Sequence, residues 1–251
     1  MSSSLIGTRA ALRTVIAATL IATPAVASAQ APRISVSVNG GWQAAPDGFD
    51  ATTNLQLNRE TEEIAARYDF KSGPLFDIGG AWRLTRHLWA GVAISRFSKP
   101  GESSITAKLP HPLQFNQPRT VEGSAGLGRR ETAGHIQALW DVPLGEALTV
   151  KIFGGPSIFS LRQDVVSDVE FSETYPFDAA TFTRAKTSAV TQSKLGFNVG
   201  ADLAYYFHRM FGVGFLARYA SASVDLHVNT TGTVSAKTGG FQLGAGVRLL
   251  F

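Results

Sequence analysis

Eight ionisable side chains are spaced so that they could share one environment: Asp77, Arg83, His135, Asp141, Lys151, Asp202, Arg218 and Arg248. Each lies in a stretch whose polarity alternates residue by residue, on the face opposite the apolar one. Leaving His135 aside, four bases and three acids can largely neutralise one another. Two arrangements fit such a set: a hydrogen-bonded network that fills an enclosed interior, or the lining of a narrow polar conduit. An unpaired enclosed charge costs several kcal/mol, which favours the filled network.

Catalysis finds less to work with. His135 could act as a base only beside a nucleophile or carboxylate, and the sequence places neither there. Gly123-Ser-Ala-Gly126 is one residue short of the G-x-S-x-G elbow. The five His residues show no metal spacing, and Gly123-x-x-Gly126-x-Gly128 lacks the strand–turn–helix setting of a dinucleotide site. No catalytic residue, metal or cofactor is expected, and the chain reads as a non-enzyme. Cysteine is absent, which excludes disulfides, thiolate metal sites and a Cys-anchored lipoprotein.

The elements that must position the eight residues are strands. A period of two dominates near 33–43, 75–84, 88–97, 131–142, 148–159, 194–207, 211–221 and 240–251, each long enough to cross a bilayer when tilted. In the last, Phe241, Leu243, Ala245, Val247, Leu249 and Phe251 face one way and Gln242, Gly244, Gly246, Arg248 and Leu250 the other. Taking the apolar phase of every strand collects 40 positions without one charge, where the chain's 17% charged residues predict about seven. A charge at the bilayer midplane costs roughly 2–4 kcal/mol, so this is what lipid demands. Arg96 shares the outward phase of the third strand but lies close to its end, where the cost fades. Pro156 lacks a ladder donor and marks a bulge or the upper rim.

The connections alternate. Thr85–His87, Pro143–Ala147 and His208–Met210 are short, whereas 44–74, 98–130, 160–193 and 222–239 read as long polar loops. Loops of that length are uncommon in compact soluble domains, but short periplasmic turns and long extracellular loops mark outer-membrane barrels. Trp82, Leu84, Trp140, Tyr205, Phe207, Phe211 and Phe251 gather at the turn end, and Trp42, Phe76, Tyr219 and Phe241 at the other, as interfacial belts.

At the N-terminus, Arg9 and Arg13 precede an apolar run, Pro24 and the small-residue site Ala27-Ser28-Ala29, the order of a secretory signal peptide. Residues 1–29 are therefore read as cleaved and 30–251 as one barrel domain. Without Arg9 and Arg13 the balance is 21 basic against 19 acidic residues, too even for nucleic-acid binding.

Phe241–Phe251, with its alternation and closing Phe, resembles the C-terminal assembly signal of outer-membrane barrels, carried by Phe241, Leu243, Val247, Leu249 and Phe251. Gly79-Gly-Ala-Trp-Arg-Leu-Thr-Arg-His-Leu-Trp-Ala-Gly-Val-Ala93 and Gly200-Ala-Asp-Leu-Ala-Tyr-Tyr-Phe-His208 are similar to hairpins of the small barrel superfamily that includes opacity-type porins. The resemblance implies insertion by the barrel-assembly machinery and contact with outer-membrane lipid, including lipopolysaccharide. The expectation is a monomeric, eight-stranded, antiparallel up-and-down barrel in the cell outer membrane. Its role is structural or surface interaction through the long loops, with a narrow porin-like channel as the alternative. The second loop, with Lys99, Lys108, Arg119, Arg129 and Arg130, suits phosphate. The third carries Asp164, Asp168, Glu170, Glu173, Tyr175, Phe177 and Asp178. A host or matrix surface ligand would be met by these loops.

Overall fold

A computed structural model of the chain describes residues 32–44, 48–227 and 233–251, and the expected signal peptide lies outside the described residues. The described chain is all strand and turn. Its strands are β1 (Ile34–Gln43), β2 (Phe49–Leu57), β3 (Glu60–Asp69), β4 (Gly73–Arg83), β5 (Leu88–Leu109), β6 (Arg119–Pro143), β7 (Leu148–Glu173), β8 (Ala180–Tyr206), β9 (Phe211–His227) and β10 (Thr233–Leu250). Eight of them close an antiparallel ring in the order β1, β4, β5, β6, β7, β8, β9, β10. Its exterior between the two rims is apolar: Val38, Ile78, Val92, Ile136, Ile152, Val199, Phe215 and Val247 are all exposed there. Every aromatic residue assigned to a rim is exposed as well, as lipid contact requires.

The four long polar loops are the main correction, because most of their residues are strand. β5 and β6 stay in unbroken register from Leu88↔Trp140 up to Leu109↔Arg119, and β7 and β8 pair from Leu148↔Tyr205 to Glu173↔Ala180. The segment between β1 and β4 folds into the β2–β3 hairpin, whose second strand pairs with the upper part of β5. The wall therefore continues well beyond the apolar band as an upper tier.

The reason is a reversal of polarity without a change of phase. On β5, the outward residues Ala90, Val92 and Ile94 give way to Arg96, Ser98, Glu102, Ser104, Thr106 and Lys108. The inward ones change from Gly91, Ala93 and Ser95 to Phe97, Ile105, Ala107 and Leu109. A strand in lipid turns its apolar side out, and the same strand in water turns it in. Inside the upper tier, Ile64, Tyr68, Ile105, Leu109, Val121, Leu127, Val165 and Val169 form a buried apolar core. The Tyr68 hydroxyl accepts a hydrogen bond from the Val166 N–H at 2.9 Å, so its one polar atom is satisfied.

Pro156 produces neither a bulge nor a rim. The β6–β7 ladder omits the two pairs that would set Ile136 opposite Pro156 and Gln137 opposite Gly155, then resumes in the same register at His135↔Ser157. A missing donor removes hydrogen bonds locally without adding a residue.

Candidate functional site

The inward phase of the ring places all eight of these residues on the interior side, seven of them in three groups and His135 by itself. In the first, Arg218 donates to Asp77 at 2.7 Å and to Gln242 at 2.6 Å, and Asn39 donates to the same Asp77 carboxylate at 3.1 Å. Gln242 passes the chain to Gln43 at 2.7 Å, and Gln43 donates to Glu131 at 3.0 Å. Glu131 also accepts from Arg129 at 2.7 Å and from the Gly239 N–H at 2.9 Å. Gly239 holds φ at +89°, a conformation only glycine takes without strain; it turns that amide off the ladder and into the interior. The result is a continuous polar deck beneath the apolar core of the upper tier.

In the second group, Arg248 pairs with Asp202 and donates to Asn39 at 2.7 Å. In the third, Trp89 lies between two cations: the Lys151 ammonium is 4.2 Å from its ring centroid and the Arg83 guanidinium 4.8 Å. Arg83 reaches Asp141 at 4.0 Å, and Lys151 donates to Ser35 at 3.4 Å. Lys151 is the cross-strand neighbour of both Asp141 and Asp202, so two carboxylates flank it without contact.

His135 stands apart from the charges. One ring nitrogen is 3.0 Å from the Ser95 hydroxyl and the other 2.8 Å from Ser157, with the Phe159 ring edge-on. A histidine beside two hydroxyls is the grouping a hydrolase needs, but this one is 2% exposed and without a carboxylate partner among the described residues. No group of three or more metal-ligating side chains occurs among the described residues either.

The interior is closely packed. A cavity of about 50 Å³ remains beside Ser37, Asp77 and Lys151, room for a few waters. Below it, Trp89, Leu139, Phe153 and Leu216 form a plug. A vestibule of about 560 Å³ lined by Arg83, Asp141, Lys151 and Tyr206 ends there.

The upper end carries a second assembly. Arg119 pairs with Glu173 and donates to the carbonyls of Pro110, at 3.0 Å, and Phe177, at 2.9 Å, so it clamps the β5–β6 tip to the β7–β8 tip. Glu60 on the β2–β3 hairpin accepts from the Asn116 N–H at 2.8 Å. His111 accepts from the Leu113 and Gln114 N–H groups, which shapes the turn. On this braced summit Leu113, Phe115 and Tyr175 are 65%, 69% and 77% exposed. Just inside the tier, burial, with Asp168 nearby, pushes the Glu62 carboxyl up to about 6. On the outer wall, Glu170 pairs with Arg184 and Asp168 with Lys186, and Arg184 holds the Glu170 carboxyl below its ordinary range.

Several residues are reassigned. Arg119 and Arg129, expected on a basic surface loop, are buried, and Lys108 is paired with Glu63 at 3.2 Å. Glu131, Arg129, Asn39 and Gln43 were not selected from the sequence as members of the interior network. Arg129 and Glu131 share the parity of His135 along β6; Glu131 opens the expected strand 131–142 on its inward face, whereas Arg129 falls in the segment 98–130 that reads as a loop. Phe241, Leu243, Val247, Leu249 and Phe251 line the exterior face of the terminal strand, which closes the ring against β1.

No protein-family model matches the chain, and no curated protein does. Among solved structures, OprG from Pseudomonas aeruginosa is similar at 10% identity and a TM-score of 0.45, covering 88% of this chain and 96% of that one. The outer-membrane protease OmpT from Escherichia coli gives 9% identity and 0.47, covering 90% and 99%. Neisserial surface protein A gives 11% identity and 0.41, covering 87% and 97%. At these values the likeness assigns no residue of this chain a role.

Proposed function

We propose that this outer-membrane barrel is a surface-interaction protein whose binding face is the summit formed by Leu113, Phe115 and Tyr175. The observation that carries the reading is their exposure on two strand-pair tips that Arg119 clamps together. Large apolar side chains held in water, away from any lipid band, are characteristic of contact surfaces. The lumen supports this choice over the porin-like alternative, because Trp89, Leu139, Phe153 and Leu216 are packed together inside it and the charged side chains above them are paired. The buried Ser95–His135–Ser157 trio gives no support to a catalytic role.

The ligand class is a host or matrix surface, met by apolar and aromatic contact. Arg119 and Arg129, two of the bases that would suit phosphate, are buried and unavailable to such a ligand. The test is binding of fluorescent proteoliposomes to matrix-coated plates and to epithelial monolayers. The triple variant Leu113→Ala, Phe115→Ala, Tyr175→Ala should lose at least about tenfold in binding, as for hot-spot aromatics, while keeping the heat-dependent gel shift of a folded barrel. Undiminished binding by the triple variant would remove the summit from the reading. Steady single-channel conductance of the parent protein would replace it with the conduit.

A further inference from the structure

We infer that the outer wall over β5, β6 and β7 is a binding site for one phosphorylated, acylated lipid of the outer leaflet. It rests on the placement of the upper tier outside the cell, and it is independent of the summit.

Two observations meet there, the first on these three strands and the second on the same strands together with Ile78 of β4. The first is a set of arginines at the top of the apolar band. Arg130 on β6 is directly opposite Arg162 on β7. Arg96 on β5 is opposite Thr132, one outward position below Arg130 and diagonal to it. All three are exposed, and among the described residues none has a carboxylate partner. Like charges directly opposite on a sheet repel, so an anion between them removes a cost built into the wall. Arg130 and Arg162 also line an open cleft of about 370 Å³ with Ser98, Lys99 and Asp164. Asp164 is turned to the Gly128 N–H at 2.9 Å.

The second is an apolar groove of about 680 Å³ below the arginines, lined by Ile78, Val92, Ile94, Gly134, Ile136 and Ile158. Gly134, in its floor, has no side chain where its outward neighbour Ile136 does. A β-carbon at Gly134 would meet nothing within 4 Å, so the groove is vacant space and not tight packing. Moving up β5, Ile94 is the last apolar outward residue and Arg96 the next. Hydrocarbon shape below and paired guanidinium groups above match acyl chains joined to a phosphate at headgroup depth. Guanidinium is the side chain best suited to bind phosphate through two hydrogen bonds.

The experiment reconstitutes the protein into phosphatidylcholine nanodiscs. These contain a small fraction of either a bisphosphorylated, multiply acylated glycolipid or its enzymatically dephosphorylated form. Retained glycolipid is counted by mass spectrometry after detergent exchange. The phosphorylated form should be retained at least about tenfold better than the dephosphorylated one. The variant Arg96→Gln, Arg130→Gln, Arg162→Gln should erase that preference. Gly134→Phe, which fills the groove, should lower retention while leaving the arginines in place. Inorganic phosphate should displace the lipid weakly. Equal retention of both glycolipids, or an unchanged preference in the triple arginine variant, would overturn the site. Full displacement by millimolar phosphate, with Gly134→Phe without effect, would make it a free-anion site and overturn the lipid assignment. Loss of summit binding leaves these readouts untouched, so the two proposals fail separately.

Discussion

At the scale of single residues, a side chain's depth decides its worth. Arg218 and Asp77 are both almost fully buried and joined at 2.7 Å, so Asp77→Ala leaves a guanidinium buried without its counter-ion. The expected loss is about 3–5 kcal/mol, read from the urea midpoint of the folded gel band. Asp50→Ala, which breaks an exposed pair with Arg67, should leave that midpoint unchanged within error. Glu62 gives a pH dependence. Its folded-state pKa is raised to about 6 from the ordinary 4.5, so the folded protein holds the proton more tightly than the unfolded chain. The stability this confers is complete below pH 4.5 and is lost as pH rises through 6. Stability measured from pH 4 to 8 should fall across that window, and Glu62→Gln should flatten it.

At the scale of the strand, one phase serves two solvents. Val38 and Thr106 both face outward, but Val38 sits in the apolar band and Thr106 on the water-facing tier. Val38→Arg should cost roughly 2–4 kcal/mol in refolding from urea into lipid, whereas Thr106→Arg should cost close to nothing. The tier itself is open to a direct check. Residues 102–109 and 119–128 are paired strands, so their amides should resist hydrogen exchange; loops of that length would exchange within seconds. Rapid exchange across both segments would return them to the loops that their average polarity first indicated.

At the scale of the whole molecule, a ring of eight strands leaves an interior that side chains can fill, and the plug at Trp89, the deck at Glu131 and the apolar core above fill it in succession. The reconstituted protein should therefore be silent in single-channel recordings. How much of this was legible in the sequence follows from the range of each interaction. Alternation within a strand is local, so the apolar phase, the inward position of Asp77, Lys151 and Arg248, and the short turns could all be read residue by residue. So could the exterior face of β10. The meaning of a phase is not local: Phe97 and Ile105 continue the same inward row as Ser95, yet only closure of the ring shows that the row passes from a polar deck to a dry core. Pairings such as Gln43 with Glu131, or Arg119 with Glu173, join residues far apart in the chain, and no spacing rule connects them. The sequence by itself determined that these strands would form a barrel, because lipid imposes a period of two on each strand separately. Only the tertiary structure decided where the membrane ends along each strand, which charges meet inside and which side chains stand at the summit. Those outcomes depend on register between strands and on the solvent each face meets once the ring is closed.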